Sequence, residues 1–396
     1  MAVDVHNYKK QLESSLRRLR ESQTISAKNR EAILKFVDDC LADGITMGRI
    51  SRCITDLKCT DRLLGKDFET AVIEDMKRLI AKIEQENWTD WTKYGIKVTI
   101  KKFYKWLSKS EEYPAVVKWI KPRIKNGRIK MPEDLLTEED VKKLLDAAKN
   151  PRDKAFIMSL YETGCRIGEI LPIKLKHIQF DEYGAQIMVD GKTGQRRVRV
   201  IAAVPYLTEW INKHPIKEPN SEVWFSNQKT GVTYCYAANL LRRVAVIAGI
   251  KKHVNPHSFR HSRATYLANH LTEAQMKEYF GWVQGSDMAS VYVHMSGRDV
   301  DSALLKTYGL STNERKNEES DLKPKTCPRC REVNPITNQY CLRCGMIIDE
   351  QARNKIIENE LKGHKANAIL DKMLQNEQFR KLFESEVRKA VSSAGE

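Results

Sequence analysis

Residues 327–344 read CPRCREVNPITNQYCLRC, a C-x2-C-x10-C-x2-C pattern that constrains its stretch of chain more tightly than any other feature of the sequence. A segment of about 19 residues cannot bury enough apolar area to fold on that basis alone. Two Cys-x-x-Cys knuckles supply four thiolates, the donor set of a closed tetrahedral metal site with no position left for a substrate. The spacing predicts a small module held by a structural zinc ion, with Cys327, Cys330, Cys341 and Cys344 as ligands. A redox dithiol pair or an iron–sulfur site is the alternative for the same residues. The remaining five cysteines, Cys40, Cys53, Cys59, Cys165 and Cys235, share no spacing and read as small buried side chains in a reducing compartment.

The module lies near the end of a 396-residue chain, long enough for two or three domains. Residues 1–125 carry helical periodicity, as in NREAILKFVDDCLADG and ETAVIEDMKRLIAKIEQ, and predict a helical domain. A charged linker with Pro132 follows over 126–135, and Thr137 before Glu138, Glu139 and Asp140 reads as a helix start. A second domain is expected over 136–312: helices first, then two short β-rich runs around GKTG that predict a hairpin, then helices again from Cys235. A polar linker (313–325), the cysteine module (326–348) and a helical tail (349–396) complete the order. In the tail, Ile369, Met373, Phe383 and Val387 fall near one helical face, suited to a partner helix, another subunit or the chain's own surface. The longest stretch without a charged residue, Thr230 to Leu241, is 12 residues, too short to span a bilayer. The start lacks the pattern of a signal peptide, so the expected compartment is the cytoplasm.

A net charge of +16 points to a polyanionic partner. The excess is local. Residues 1–90 hold 16 basic and 16 acidic residues, whereas residues 91–130 hold 12 basic and 2 acidic. In that second stretch lysines alternate with Tyr94, Phe103, Tyr104, Trp106 and Trp119, which suits a helix that packs its aromatics and turns Lys97, Lys101, Lys102, Lys105 and Lys121 towards phosphates. A solvated basic face is the plainer reading of the same charges.

Three clusters in the second domain carry chemistry. TGCRIGEI places Arg166 at a glycine turn where a helix begins, a position an apolar residue would ordinarily fill. NPHSFRHSRATYL sets His257 and Arg260 on one face of a helix opened by Pro256. EYFGWVQGSDMASVYVHMSGRDVD runs from a helix end through a glycine and Trp282 into a helix bearing Tyr292. Taken singly, each motif is weak: a salt-bridged arginine, a surface histidine or a core tyrosine fits as well.

Their order and spacing, over roughly residues 5–310, resemble the tyrosine recombinase (phage integrase) family, and the wording of WTKYGIKVTIKKFYKWL and VYVHMSGRDVD is similar to its archaeal and archaeal-virus branch. The resemblance implies a mainly α fold: a helical, SAM-like core-binding domain, a mixed α+β catalytic domain with a small β-sheet, and here an appended zinc ribbon and tail. It assigns catalytic positions to Arg166, Lys192 in the hairpin, His257, Arg260, Trp282 and the nucleophile Tyr292. Trp282 stands where histidine is commoner; an indole donates one hydrogen bond but shuttles no proton at neutral pH, so packing and phosphate contact are its expected part. The H-x-x-R box commonly continues His-Thr and here continues His261-Ser262. The implied activity is DNA strand cleavage and rejoining through a 3′-phosphotyrosyl link by a site-specific recombinase, with no cofactor for catalysis, double-stranded DNA as partner and a homotetramer on two sites. A type IB topoisomerase-like nicking and closing enzyme, or a non-catalytic DNA-binding protein on the same fold, are the alternatives. The ribbon, outside the implied catalytic set, is expected to be an independently folded accessory unit.

Overall fold

The structure, a computed structural model, describes residues 4–124, 134–225, 231–295, Tyr308 and 320–393. Parts of both expected linkers (126–133 and 313–319), and 296–307 and 309–312 of the expected catalytic region, lie outside the described residues. Two compact units emerge, one reaching to Asp134 and including Val232–Tyr236, the other formed by Leu135–Gly231 and the chain from Ala237 onward.

The first unit is helical. Its helices are α1 (Tyr8–Arg20), α2 (Ala27–Ala42), α3 (Met47–Leu64), α4 (Ile73–Gln85), α5 (Asp90–Leu107) and α6 (Ala115–Lys118). Side-chain caps start two of them: Ser26 accepts from the Asn29 amide, and Thr89 from the Thr92 amide. Leu19, Ile33, Phe36, Ile54, Leu57, Ile83, Ile100 and Phe103 form the core, with Phe103 meeting Phe36 and Phe68 edge-on. Polar side chains inside this core are paired: Asn29 Nδ2 donates to Asp61, and Thr99 donates to Asp56.

The second unit opens with α7 (Glu138–Ala147), capped reciprocally by Thr137 and Asp140, and α8 (Pro151–Thr163), which is buried from Phe156 through Thr163. Gly164, at φ 55°, ends α8 and turns the chain into the short α9 (Ile167–Ile170). β1 (Ile178–Asp181), β2 (Gly184–Gly191) and β3 (Gly194–Val200) form an antiparallel meander in that order. Gly191 pairs with Gly194 across the expected hairpin, and Ala185, Ile187, Val189, Val198 and Val200 turn inwards by the period-two rule. α10 (Val204–Asn212), α11 (Tyr234–Ile247), α12 (Pro256–Ala268), α13 (Glu273–Phe280) and α14 (Met288–Met295) follow. The buried Glu162 carboxylate accepts from the Ile201, Ala202 and Ala203 amides, fixing the end of β3 and the start of α10 to α8.

The cysteine module, with β4 (Lys325–Thr326) against β5 (Val333–Asn334), does not stand apart as expected. Thr337 meets the buried Tyr206 hydroxyl at 3.2 Å, and Glu138 at the start of α7 accepts from the Ser320 hydroxyl and the Asp321 amide at 2.7 Å each. These polar contacts, beside the burial of Leu322, tie the module and the segment before it to the second unit. Beyond it, α15 (Glu350–Leu374) and α16 (Glu377–Ser393) form the tail, with Ile369, Met373 and Val387 exposed. No described helix is long and apolar enough to cross a membrane.

Candidate active site

Arg166 occupies the N-cap of α9, and its setting explains why an arginine stands there. The Glu169 carboxylate, one helical turn on, accepts from the Arg166 amide at 3.0 Å and from its Nη1 at 2.9 Å. The guanidinium is thereby aimed while its side chain stays 33% exposed, enough to meet a ligand. A second arginine, Arg196, donates to the other side of Glu169 at 2.8 Å and to the Tyr279 carbonyl at 2.9 Å. Burial works against the charged form of Glu169, but the hydrogen bond and charge of Arg196, with help from Arg166, outweigh it and hold the carboxyl below the usual range.

Arg260, on α12, is buried. Its Nη1 donates to the Gly164 carbonyl at 2.9 Å and its Nη2 to the Phe280 carbonyl at 2.8 Å, so one guanidinium closes the C-terminal ends of α8 and α13. Carbonyls at those ends lack intrahelical partners and carry the negative end of the helix dipole. The rings of Phe280 and Trp282 lie 5.1 and 5.4 Å from the guanidinium carbon. Burial first, then the like charge of Arg166, brings Arg260 down to about 10. Both turns need glycine. A Cβ on Gly164 (φ 55°) would strike the Phe280 ring at 2.5 Å, and one on Gly281 (φ 60°) would strike Arg196 Nη1 at 2.8 Å.

Tyr292, on α14, is 3% exposed, and its ring lies parallel to the Trp282 indole with centroids 5.5 Å apart. Trp282 stacks in turn on Phe280 at 4.9 Å. The Tyr292 hydroxyl is in hydrogen-bond contact with Nδ1 of His261. Burial pushes the phenol up to about 12, with the positive charge of Arg260 working the other way. Two other tyrosines of this unit differ: Tyr279 is turned inwards and donates to the Glu162 carbonyl at 2.7 Å, and Tyr308 is exposed.

Arg166, Arg260, Trp282 and Tyr292 therefore gather about the turn at Gly281. Lys192 sits exposed in the β2–β3 turn, and its neighbour Thr193 donates to the Gly281 carbonyl at 3.3 Å, which ties the hairpin tip to that same turn. His257 is exposed at the first turn of α12, its ring 6.5 Å from that of His261. Three residues of the cluster were not singled out from the sequence. Glu169 lies inside the TGCRIGE motif, and His261 is the residue that commonly follows the H-x-x-R box, the departure there being Ser262. Arg196 looked like any member of QRRVRV, although strand parity with Val198 and Val200 would have turned it inwards.

The cysteine sulfurs of 327, 330, 341 and 344 all lie within 4.8 Å of one another, with 3.6 Å between Cys327 and Cys344 and 3.5 Å between Cys330 and Cys341. Four sulfurs at ~2.3 Å from a tetrahedral zinc would be spaced by about 3.8 Å, so a cluster of four cysteines here has the size to hold a metal ion. Each knuckle turns through the left-handed region, at Gly345 (φ 70°) and at Arg331 (φ 61°), where the side chain makes the same turn less favourable.

The basic stretch requires one correction. Lys97 lies on the buried side of α5, its side chain 8% exposed and ion-paired with Glu84, so it is not placed to meet a phosphate. Lys101 donates to the Ile120 carbonyl and lies 4.4 Å over the Tyr113 ring. Lys102 and Lys105 line an open groove with Lys28, Lys35, Trp106 and Tyr113; Glu31 and Asp39 share its walls. Lys121 is exposed.

Comparison with known proteins converges on the same stretch. Residues 134–298 match the phage integrase family. Tyrosine recombinase XerD of Chlorobaculum tepidum is 33% identical over 147 residues, 34% of this chain and 48% of the relative, so the chain spans about half of that protein's length in the match. Tyrosine recombinase XerC of Alcanivorax borkumensis is 27% identical over 252 residues, 59% of this chain and 78% of the relative. Among solved structures, a lambda integrase dimer bound to a COC′ core site superposes with a TM-score of 0.55, covering 71% of this chain and 81% of that one at 15% identity. At that identity the likeness is one of fold alone.

Proposed function

We propose that the chain is a site-specific DNA recombinase that cleaves and rejoins strands through Tyr292. The observation that carries this reading is the convergence of Arg166, Arg260, Trp282 and Tyr292 on the turn at Gly281, with the Lys192 hairpin tied to it through Thr193. Attack of the tyrosine oxygen on a phosphodiester builds charge on the non-bridging oxygens, and planar guanidinium forks meet that charge in matched geometry. Arg166 and Arg260 clamp the phosphate; Lys192 protonates the leaving 5′ oxygen; His257 assists proton movement and phosphate binding. The 3′-phosphotyrosyl product keeps the bond energy for rejoining. Tyr292 is buried against Trp282 with its hydroxyl on the His261 ring.

Double-stranded DNA is the substrate, held in part by exposed lysines of the first unit. Four copies act on two sites, and the wording of VYVHMSGRDVD favours the archaeal branch; 296–301 of that stretch lie outside the described residues. Zinc is the metal that suits the four thiolates, and in that closed donor set it would be structural. The test is a suicide DNA substrate, nicked so that the cleaved end is lost. The wild type should accumulate a covalent adduct, and Tyr292→Phe should bind the same DNA and form none. An adduct with Tyr292→Phe would refute the assignment; relaxation of DNA of any sequence without recombinant product would replace recombination by nicking and closing.

A further inference from the structure

α12 carries two histidines one turn apart in HSFRHS, and they differ in what they reach. His257 is exposed at the helix start. His261 is half-buried, its Nδ1 is in hydrogen-bond contact with the Tyr292 hydroxyl, and the two rings lie 5.8 Å apart at 42°. The phenol is enclosed between that imidazole and the parallel face of Trp282. A phenol so buried stays neutral until its proton has somewhere to go, and burial raises it to about 12. Trp282 offers no base, because an indole nitrogen has no lone pair to accept a proton.

We propose that His261 is a catalytic residue, the group that takes the Tyr292 proton as the phenol oxygen attacks phosphorus. The inference rests on the reading of Tyr292 as nucleophile. With the imidazole protonated on Nε2, Nδ1 accepts the phenol proton while the tyrosine O–P bond forms. The P–O5′ bond breaks and the 5′ oxygen takes its proton from Lys192. Rejoining runs each transfer backwards, so His261 returns the proton to the departing phenol and the balance closes without an added reactant.

Single-turnover adduct formation by the full chain separates this assignment from its rivals when two suicide substrates are compared, one natural and one with sulfur replacing the bridging 5′ oxygen. A thiolate leaves without protonation, so a defect at the leaving group is rescued by sulfur and a defect at the nucleophile is not. His261→Gln should slow adduct formation by ~10²- to 10⁴-fold on both substrates, the range of a general base. Lys192→Ala should recover on sulfur, and added imidazole should restore part of the rate of His261→Ala. A wild-type rate in His261→Gln, recovery of that variant on sulfur, or failure of imidazole to act on DNA-bound His261→Ala would each overturn the proposal. Should His261→Gln fold less completely, the amplitude falls while the rate constant still reports the step. Absence of an adduct with the wild type, or its persistence in Tyr292→Phe, would instead remove the nucleophile assignment itself.

Discussion

Glu169→Gln tests how the clamp is built, because this buried carboxylate is the group that aims Arg166. It accepts from the Arg166 amide, from Arg166 Nη1 and from Arg196 Nη2, all within 3.0 Å. Glutamine keeps the shape but leaves one acceptor and sets an amide N–H against a guanidinium donor. The charges of Arg166, Arg196 and Arg260 then stand together without that counter-charge. Removing one partner of a buried ion pair costs ~3–5 kcal/mol. Arg166 is a third exposed, so solvent screens part of the loss and the lower end, about 3 kcal/mol, applies. That corresponds to a fall in Tm of roughly 6–12 °C for a unit of this size. Arg166, no longer aimed, should lose most of its share of charge stabilisation, ~10²- to 10³-fold in adduct formation for one preorganised donor. The folded carboxyl lies below its unfolded value of about 4.3, so its stabilising contribution is complete above that value and is lost as pH falls through the lower folded one. The stability gap between wild type and Glu169→Gln should therefore close in acid. Thermal unfolding from pH 7 to pH 3, beside single-turnover cleavage, measures both. Unchanged Tm and cleavage at neutral pH, or a gap that persists undiminished in acid, would refute the reasoning.

Lys105→Gln should weaken binding to all DNA sequences alike and lower the salt slope by about 0.9, the value for one phosphate contact, whereas Lys97→Gln should lower Tm and leave the slope as it was. A slope change in Lys97→Gln would return that lysine to the DNA face. Cys327→Ser and Cys344→Ser should abolish bound metal and open residues 327–345 to protease while adduct formation persists, since the cysteines lie outside the Gly281 cluster; retained metal, or loss of cleavage in both variants, would reject that division.

The motifs of the candidate site were legible because each depends on local backbone. Gly164 and Gly281 mark helix ends, Pro256 marks a helix start, GKTG marks a hairpin, and paired Cys-x-x-Cys knuckles mark a metal-sized turn. Such features are fixed by steric rules acting within a few residues, and they set Arg166 at a helix start, Lys192 in a hairpin turn, Arg260 and Tyr292 on helices and Trp282 just past a helix end, where the structure has them. Their order along the chain also carried the fold class, a helical unit followed by one with a small antiparallel sheet.

Partners across the fold were not legible, because a side chain's period on its element says which face it is on and nothing of what faces it. Lys97 reads as one more lysine in a basic run, yet helical phase turns it inward, where Glu84 of α4 neutralises it. Arg196 and Glu169 lie 27 positions apart, and they meet because β2 packs against α9 and β3 pairs with β2. His261 looks like a filler beside Arg260 until α14 brings the Tyr292 hydroxyl to its ring, and the cysteine module looks autonomous until Thr337 meets Tyr206. Sequence by itself determined which residues are chemically able and where the backbone turns; only tertiary structure decided which charges are neutralised, which phenol is buried and which base it touches. Burial and electrostatic partnership depend on distances between segments remote in the chain, and only the folded core sets those distances.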